Sequence, residues 1–260
     1  MLESFNITSN QRHYLVNFAW VFVAGLAVYF FRPSYLLSEL VVLLPPLAYT
    51  LYCLPRAEVK RILRFALFSA VMFAPPVEFV ARLNNIWDVQ STFPRILGLV
   101  PPENLIFAFV NFAWFVGFYK LVRPSQILQA KNLGRQVVLT SLYFLLWPVI
   151  YLLYKYQPNW LVLSYFQLSI TILFVPLVYF LFTRPSSILE TWRVTLFFAL
   201  LLFWYEVISL LIGSWWWPLN NYFYTIAIAG RNFPIDDVII WYLISTPVLL
   251  VSYDYFVDGA

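Results

Sequence analysis

Val100-Pro101-Pro102-Glu103-Asn104-Leu105-Ile106 turns a Trp-bearing loop into an unbroken apolar run, 103–121. Phe233-Pro234-Ile235-Asp236-Asp237-Val238-Ile239 does the same ahead of the run 235–256. Pro cannot continue a helix but fits its first turn. Each stretch therefore delivers a carboxylate to the mouth of a segment close to the ~20 residues that a membrane-spanning helix needs.

Outward from these two stretches the same pattern recurs. Eight apolar segments run over about 13–31, 35–53, 62–82, 103–121, 136–155, 160–182, 194–213 and 235–256. The chain is 62% hydrophobic, 21% aromatic and 11% charged, far too apolar for a water-soluble core. The expected fold class is all-α, a polytopic bundle of about eight transmembrane helices. Internal prolines at Pro45-Pro46, Pro75-Pro76, Pro148, Pro176 and Pro247 predict kinked helices. Arg32-Pro33-Ser34, Arg123-Pro124-Ser125 and Arg184-Pro185-Ser186 are read as punctuation, each ending one helix and opening the next.

Residues 1–12 are polar and lack the pattern of a removable signal peptide, so the first apolar segment is expected to stay. Cys53 and His13 are single, which excludes an intramolecular disulfide and argues against a His/Cys metal site; neither metal nor cofactor is expected. The net charge of +4 is modest and points to lipid contact, not nucleic acid. If the helices alternate, Arg12, Arg56, Lys60, Arg61, Arg64, Lys120, Arg123, Lys131, Arg135, Arg184 and Arg193 share one side. Arg32, Arg82, Arg95, Lys155 and Arg231 take the other. The positive-inside rule then predicts a multi-pass protein of the cell membrane with both termini cytoplasmic.

The chain also repeats itself. Pro46-Leu47-Ala48-Tyr49 matches Pro176-Leu177-Val178-Tyr179, and Glu78 precedes Trp87 by the same nine residues that separate Glu206 from Trp215. This predicts an extra N-terminal helix (1–34), a first three-helix unit (35–122), a linker helix (123–158) and a second three-helix unit (159–260). One helix between the units keeps them parallel, and such duplications commonly place a site between the halves.

Five carboxylates occupy matched positions in these units. Glu78 and Glu206 lie within the third and seventh segments, while Glu103, Asp236 and Asp237 open the fourth and eighth. Charge at membrane depth costs a few kcal/mol and normally faces the bundle interior. Two structural readings stand beside the functional one: helix N-terminal acids favoured by the dipole, and interhelical hydrogen bonds that fix packing. Trp87, Trp114, Trp204, Trp215, Trp217 and Trp241 lie in or beside the same segments. They fit an interfacial belt. The belt accounts for most of them, and a cavity that holds a carbocation also needs such walls, since aromatic faces attract positive charge without offering a lone pair.

Taken together, these residues resemble the membrane-integral, flavin-independent lycopene cyclases, known as paired small bacterial subunits and as fused archaeal and fungal domains. Pro101-Pro102-Glu103-Asn104 with Glu78 and Trp87, and Pro234-Ile235-Asp236-Asp237 with Glu206 and Trp215, are similar to that family's duplicated Pro-x-Glu-Glu/Asp signature, over about 36–257. Asn104 stands where the first copy would carry its second acid, and Asp236 replaces the usual Glu. The resemblance implies a redox-neutral cyclisation of a linear carotenoid's ψ-end. A carboxylic acid protonates the terminal double bond, the ring closes through a tertiary cation, and a proton leaves the new ring. It makes Glu103 the first candidate for the acid, Asp236 or Asp237 its partner or the base, and Glu78 and Glu206 supports that orient or recharge them. Asn104 and the tryptophans would contact substrate. The implied partners are a long-chain carotenoid or other isoprenoid, the lipid bilayer, and either a second copy of the chain or other carotenoid-pathway enzymes.

Other chemistries lack their residues. No Gly-x-Gly-x-x-Gly occurs for a dinucleotide. Asn84-Asn85-Ile86-Trp87-Asp88 faintly resembles one acidic cluster of a prenyltransferase, but no second cluster is recognisable. The alternative from another class is a non-catalytic isoprenoid-binding protein, or a small transporter using the same carboxylates.

Overall fold

The computed structural model describes residues 8–124, 148–218 and 222–258. Within them the chain is an all-α bundle whose helices start where capping chemistry dictates. Helix α1 spans Ser9–Phe31, and the Thr8 side chain accepts from the Gln11 N–H while Gln11 reaches back. Arg32 closes it in the left-handed region at φ 46°. Ser34 caps α2 (Tyr35–Tyr52), and Ser164 with Gln167 forms a second capping box ahead of α6 (Tyr165–Thr183). Pro55 and Pro101 stand immediately before α3 (Arg56–Leu83) and α4 (Pro102–Val122). A helical stretch at 148–156 (α5) and the short α7 (Pro185–Glu190) complete the connections, and Gly213 at φ 78° ends α8 (Trp192–Ile212).

The last helix, α9 (Ile235–Val257), follows Pro234 and is not uniform. After its first turn, Val238–Ile244 winds more widely, so that the Ser245 N–H bonds the Ile240 carbonyl five residues back. Widened turns of this kind re-aim side chains and are frequent at functional sites.

Among the described residues six helices (α1, α2, α3, α4, α8 and α9) are long and apolar enough to cross a membrane. Helix α6, bent by 43° near Pro176, makes a seventh if it is counted as one span. The expected fifth segment, 136–155, lies outside the described residues up to 147, as do residues 1–7 of the N-terminal unit and 125–147 of the linker. Helix α3 begins six residues earlier than its apolar window. Pro55 fixes its start and Glu58 sits in its first turn, so the basic segment Arg56 to Arg64 is helical as well.

Helix α1 packs against α2 and α8; α4 packs against α2 and α3; and α9 lies on α8, α4 and α6. Trp114 fills the core between α1, α4 and α8, its indole edge-on to Phe198 at 4.8 Å and its Nε1 donating to Asn17 Oδ1 at 2.9 Å. Away from the loops, α3, α4 and α9 are tied by polar groups: Tyr253 donates to Glu58 at 2.7 Å, Tyr119 donates to Asp254 at 2.7 Å, and Lys120 stands 3.5 Å from Asp254.

The Trp-bearing loops of the two halves meet each other. Strand β1 (Asp88–Val89) pairs antiparallel with β2 (Trp215–Trp216), Asp88 opposite Trp216 and Val89 opposite Trp215. By the nine-residue interval from Glu78 and Glu206, Asp88 and Trp216 are matching positions. Matching positions that face one another across an antiparallel ladder are what a local two-fold axis produces. The aromatic packing has the same symmetry, because Tyr35 at the start of α2 sits edge-on to Trp215 (5.8 Å) and Tyr165 at the start of α6 sits edge-on to Trp87 (5.6 Å). The second loop adds a hairpin of β3 (Thr225–Ile228) and β4 (Arg231–Pro234). Ala229 and Gly230 both take positive φ in its turn, as a two-residue type I′ connection requires.

Candidate functional site

Helices α2, α3, α4, α8 and α9 bring buried carboxyl, amide and phenol groups together beneath the paired loops. Glu78, Glu103, Asn104, Glu206, Asp236 and Asp237 are all buried. They divide into two kinds.

Glu103 and Asp236 hold the loops. Glu103 Oε1 accepts the backbone N–H of Phe93 (2.9 Å) and of Thr92, and its Oε2 accepts the Ser91 hydroxyl (2.9 Å). Asp236 Oδ2 accepts the backbone N–H of Phe223 (2.9 Å) and of Tyr224 (3.4 Å). Each acid of the first helical turn reaches back ten to thirteen residues and pins the strand that leads to it. A carboxylate receiving several donors is an acceptor by construction.

The remaining groups turn inward. Glu78 receives the Trp87 indole N–H at 3.1 and 3.3 Å, with the Arg82 Nε 3.6 Å away. Arg82 also donates to the Trp87 carbonyl (2.6 Å) and to Asp88, which is shared with Arg95 at 2.7 Å. A ladder of alternating charge therefore leads from Glu78 out to the loops. Asn104 Oδ1 accepts the Tyr35 hydroxyl at 3.1 Å. In the matching position of the second half, Asp237 Oδ2 accepts the Tyr242 hydroxyl at 3.2 Å, and the same hydroxyl lies beside Glu206, whose Oε2 has no partner among the described residues. Tyr205 neighbours both halves: its hydroxyl is 3.2 Å from Ser38 Oγ, which precedes Glu39 in α2, and Tyr205 itself precedes Glu206 in α8.

The tryptophans proposed from sequence separate. Trp87 meets Glu78 and is edge-on to Trp241 at 6.0 Å, while Trp215, in the same cluster, is edge-on to Phe107 at 5.6 Å. Trp217 stacks behind Trp215 and against Phe233. Trp114 belongs to the core described above. Trp204 faces away on α8, stacked on Phe22 at 4.7 Å, where Phe18, Phe22, Leu200, Leu201 and Trp204 line an apolar groove of about 150 Å³. The structure does not bring these last two to the acids.

Three residues at the site escaped the sequence reading: Glu39, Tyr35 and Tyr242. Glu39 carried a signal, being an acid inside an apolar helix. The tyrosines carried none beyond their share of an ordinary aromatic belt. Among the described residues no three His, Cys, Asp or Glu side chains are grouped to hold a metal ion.

Chemically the arrangement offers buried carboxyl groups and phenol hydroxyls among aromatic side chains, groups able to exchange protons away from bulk water. Comparison with family models, with curated proteins and with solved structures gave no match.

Proposed function

We propose that the chain is a carotenoid cyclase acting on a linear ψ-end of the lycopene type by redox-neutral, acid-initiated ring closure. The observation that carries this reading is the buried Glu206–Tyr242–Asp237 group, in a bundle whose loop-side core is packed with Trp87, Trp215 and Trp241. One hydroxyl proton can bond only one of the two carboxyls at a time, so a further proton within the group would satisfy the other and be available for transfer. In the reaction, a neutral carboxyl gives its proton to the terminal double bond, leaving a tertiary cation. The neighbouring double bond attacks the cation and closes the ring. A proton then passes from the ring to a carboxylate, so electrons and atoms balance with no cofactor. The aromatic faces stabilise the cation and exclude the water that would trap it as an alcohol.

We assign Glu78, Glu206 and Asp237 to proton exchange. Glu103 and Asp236, which accept the loop amides, we assign to holding the site closed. The protein is a multi-pass protein of the cell membrane on this reading, both ends in the cytoplasm, with the paired loops on the opposite face.

The test is expression in a bacterial host that accumulates lycopene, with chromatography of the pigments. A product of unchanged mass and blue-shifted absorbance is expected. Asp237→Asn should lower its yield by about 10²–10⁴-fold, the usual worth of a positioned acid or base. The wholly apolar groove at Trp204 favours a second reading, in which the chain binds an isoprenoid without altering it. In that case lycopene is recovered unchanged but co-purifies with the protein.

A further inference from the structure

Asn104 leaves the first half one acid short of the second, and Glu39 restores the number. Aligning Ser34-Tyr35 with Ser164-Tyr165 and Pro46 with Pro176 sets Glu39 opposite Ser169. Aligning Pro101 with Pro234 sets Asn104 opposite Asp237. The first half thus has a carboxyl on α2 and an amide on α4, and the second half has a hydroxyl on α6 and a carboxyl on α9. Glu39 and Ser169 are both buried, at 2% and 1% exposure.

Glu39 also differs from Glu78, Glu103, Asp236 and Asp237 in its bonding. It lies against the Tyr35 phenol, yet among the described residues neither of its oxygens stands in hydrogen-bond geometry to a donor, since the Tyr35 hydroxyl is directed to Asn104 at 3.1 Å. Glu78, by contrast, has Trp87 and Arg82. An ionised carboxylate at this depth without donors is costly, whereas the neutral acid is tolerated.

We propose that Glu39 is the proton donor of the first half, taking the place that Asn104 vacates, so that each half carries one pair of buried carboxyls, Glu39 with Glu78 and Glu206 with Asp237. Each pair has its own phenol, Tyr35 or Tyr242. This inference rests on the cyclase reading for its consequence in turnover. Neutral Glu39 protonates the terminal double bond and becomes ionised; the ring proton released later goes to the Glu206–Asp237 pair. The Tyr205 hydroxyl, 3.2 Å from Ser38 Oγ next to Glu39 in α2, then lies on the path that returns one proton from the Glu206–Asp237 pair to Glu39, so the site returns to its starting state with no outside reactant.

The experiment moves the acid back to its matched position. The full-length wild type, Glu39→Gln, and Glu39→Gln combined with Asn104→Asp are expressed in the lycopene-accumulating host for pigment analysis. The same three proteins, purified, are examined by infrared spectroscopy for the carbonyl stretch of protonated carboxyl groups. Glu39→Gln is expected to remove one protonated-carboxyl band and to lower cyclised product at least about 100-fold at equal protein in the membrane. Adding Asn104→Asp is expected to return the band and to recover product at least about tenfold. Full product from Glu39→Gln, or an unchanged carbonyl region, overturns the proposal, as does a loss that Asn104→Asp leaves unrelieved. If the wild type makes no cyclised pigment, the cyclase reading fails, and the infrared comparison still decides whether Glu39 holds a proton that Asn104→Asp can take over.

Discussion

Glu103→Gln separates a group that holds a loop from a group that donates a proton. In the structure Glu103 Oε1 accepts two backbone N–H groups, from Thr92 and Phe93, and Oε2 accepts the Ser91 hydroxyl. Gln can keep its oxygen on the two amides and turn its NH₂ towards Ser91, whose hydroxyl can accept as readily as donate. What it removes is charge. A hydrogen bond to a charged group contributes about 1.5–3 kcal/mol and one between neutral groups about 0.5–1.5. Each of the two amide bonds therefore weakens by about 1 kcal/mol, about 2 kcal/mol in all. At 1.36 kcal/mol per decade that is about 30-fold in the opening equilibrium of the loop. Hydrogen–deuterium exchange of the detergent-solubilised protein reads this directly, as about 30-fold faster exchange at the Thr92 and Phe93 amides with the helical cores unchanged. Cyclisation should fall by less than about tenfold, because the acceptor survives. Abolished cyclisation with unchanged exchange at both amides would refute the reasoning and make Glu103 the acid.

Four further outcomes follow from the geometry. Glu206→Gln should reduce pigment conversion by about 10²–10⁴-fold while leaving the unfolding temperature in detergent close to wild type. Tyr205→Phe should preserve a first turnover and slow the following ones, which single-turnover and steady-state pigment assays distinguish. Gly25→Ala places a Cβ 2.4 Å from Trp204 Nε1, so the indole must move or α1 and α8 must separate. A cost of about 1–3 kcal/mol and a changed Trp fluorescence are expected. Asn17→Ala strands the Trp114 indole N–H in the core. It should cost about 1–2 kcal/mol in thermal unfolding and leave the product spectrum untouched.

What could be read from the sequence is what local chemistry determines. Thr8, Ser34 and Ser164 cap helices, Arg32-Pro33-Ser34 and Arg184-Pro185-Ser186 separate them, and Pro101 and Pro234 set acids into first turns, all without help from the rest of the molecule. The nine-residue interval between acid and tryptophan likewise maps onto two loops that pair with each other. Tertiary contacts decided the rest. Nothing local tells that Glu103 and Asp236 bend back to their own loops while Asp237 meets Tyr242, since both stretches read alike. The wide winding of Val238–Ile244 leaves no mark in an apolar run, yet it belongs to the segment that presents Tyr242 to Asp237. Glu39 was hidden because acids were sought where both halves carried them, and here the two halves reach the same number from different helices.

The central claim is that a proton from a protein carboxyl enters the carotenoid as the ring forms. Its most direct test is turnover of lycopene by the purified protein in deuterated water, with the product weighed by mass spectrometry. The account expects a product that has the substrate's mass in ordinary water and gains one deuterium for each ring formed in heavy water. A ring formed with no deuterium, or a product lighter than its substrate by two hydrogens, would contradict it.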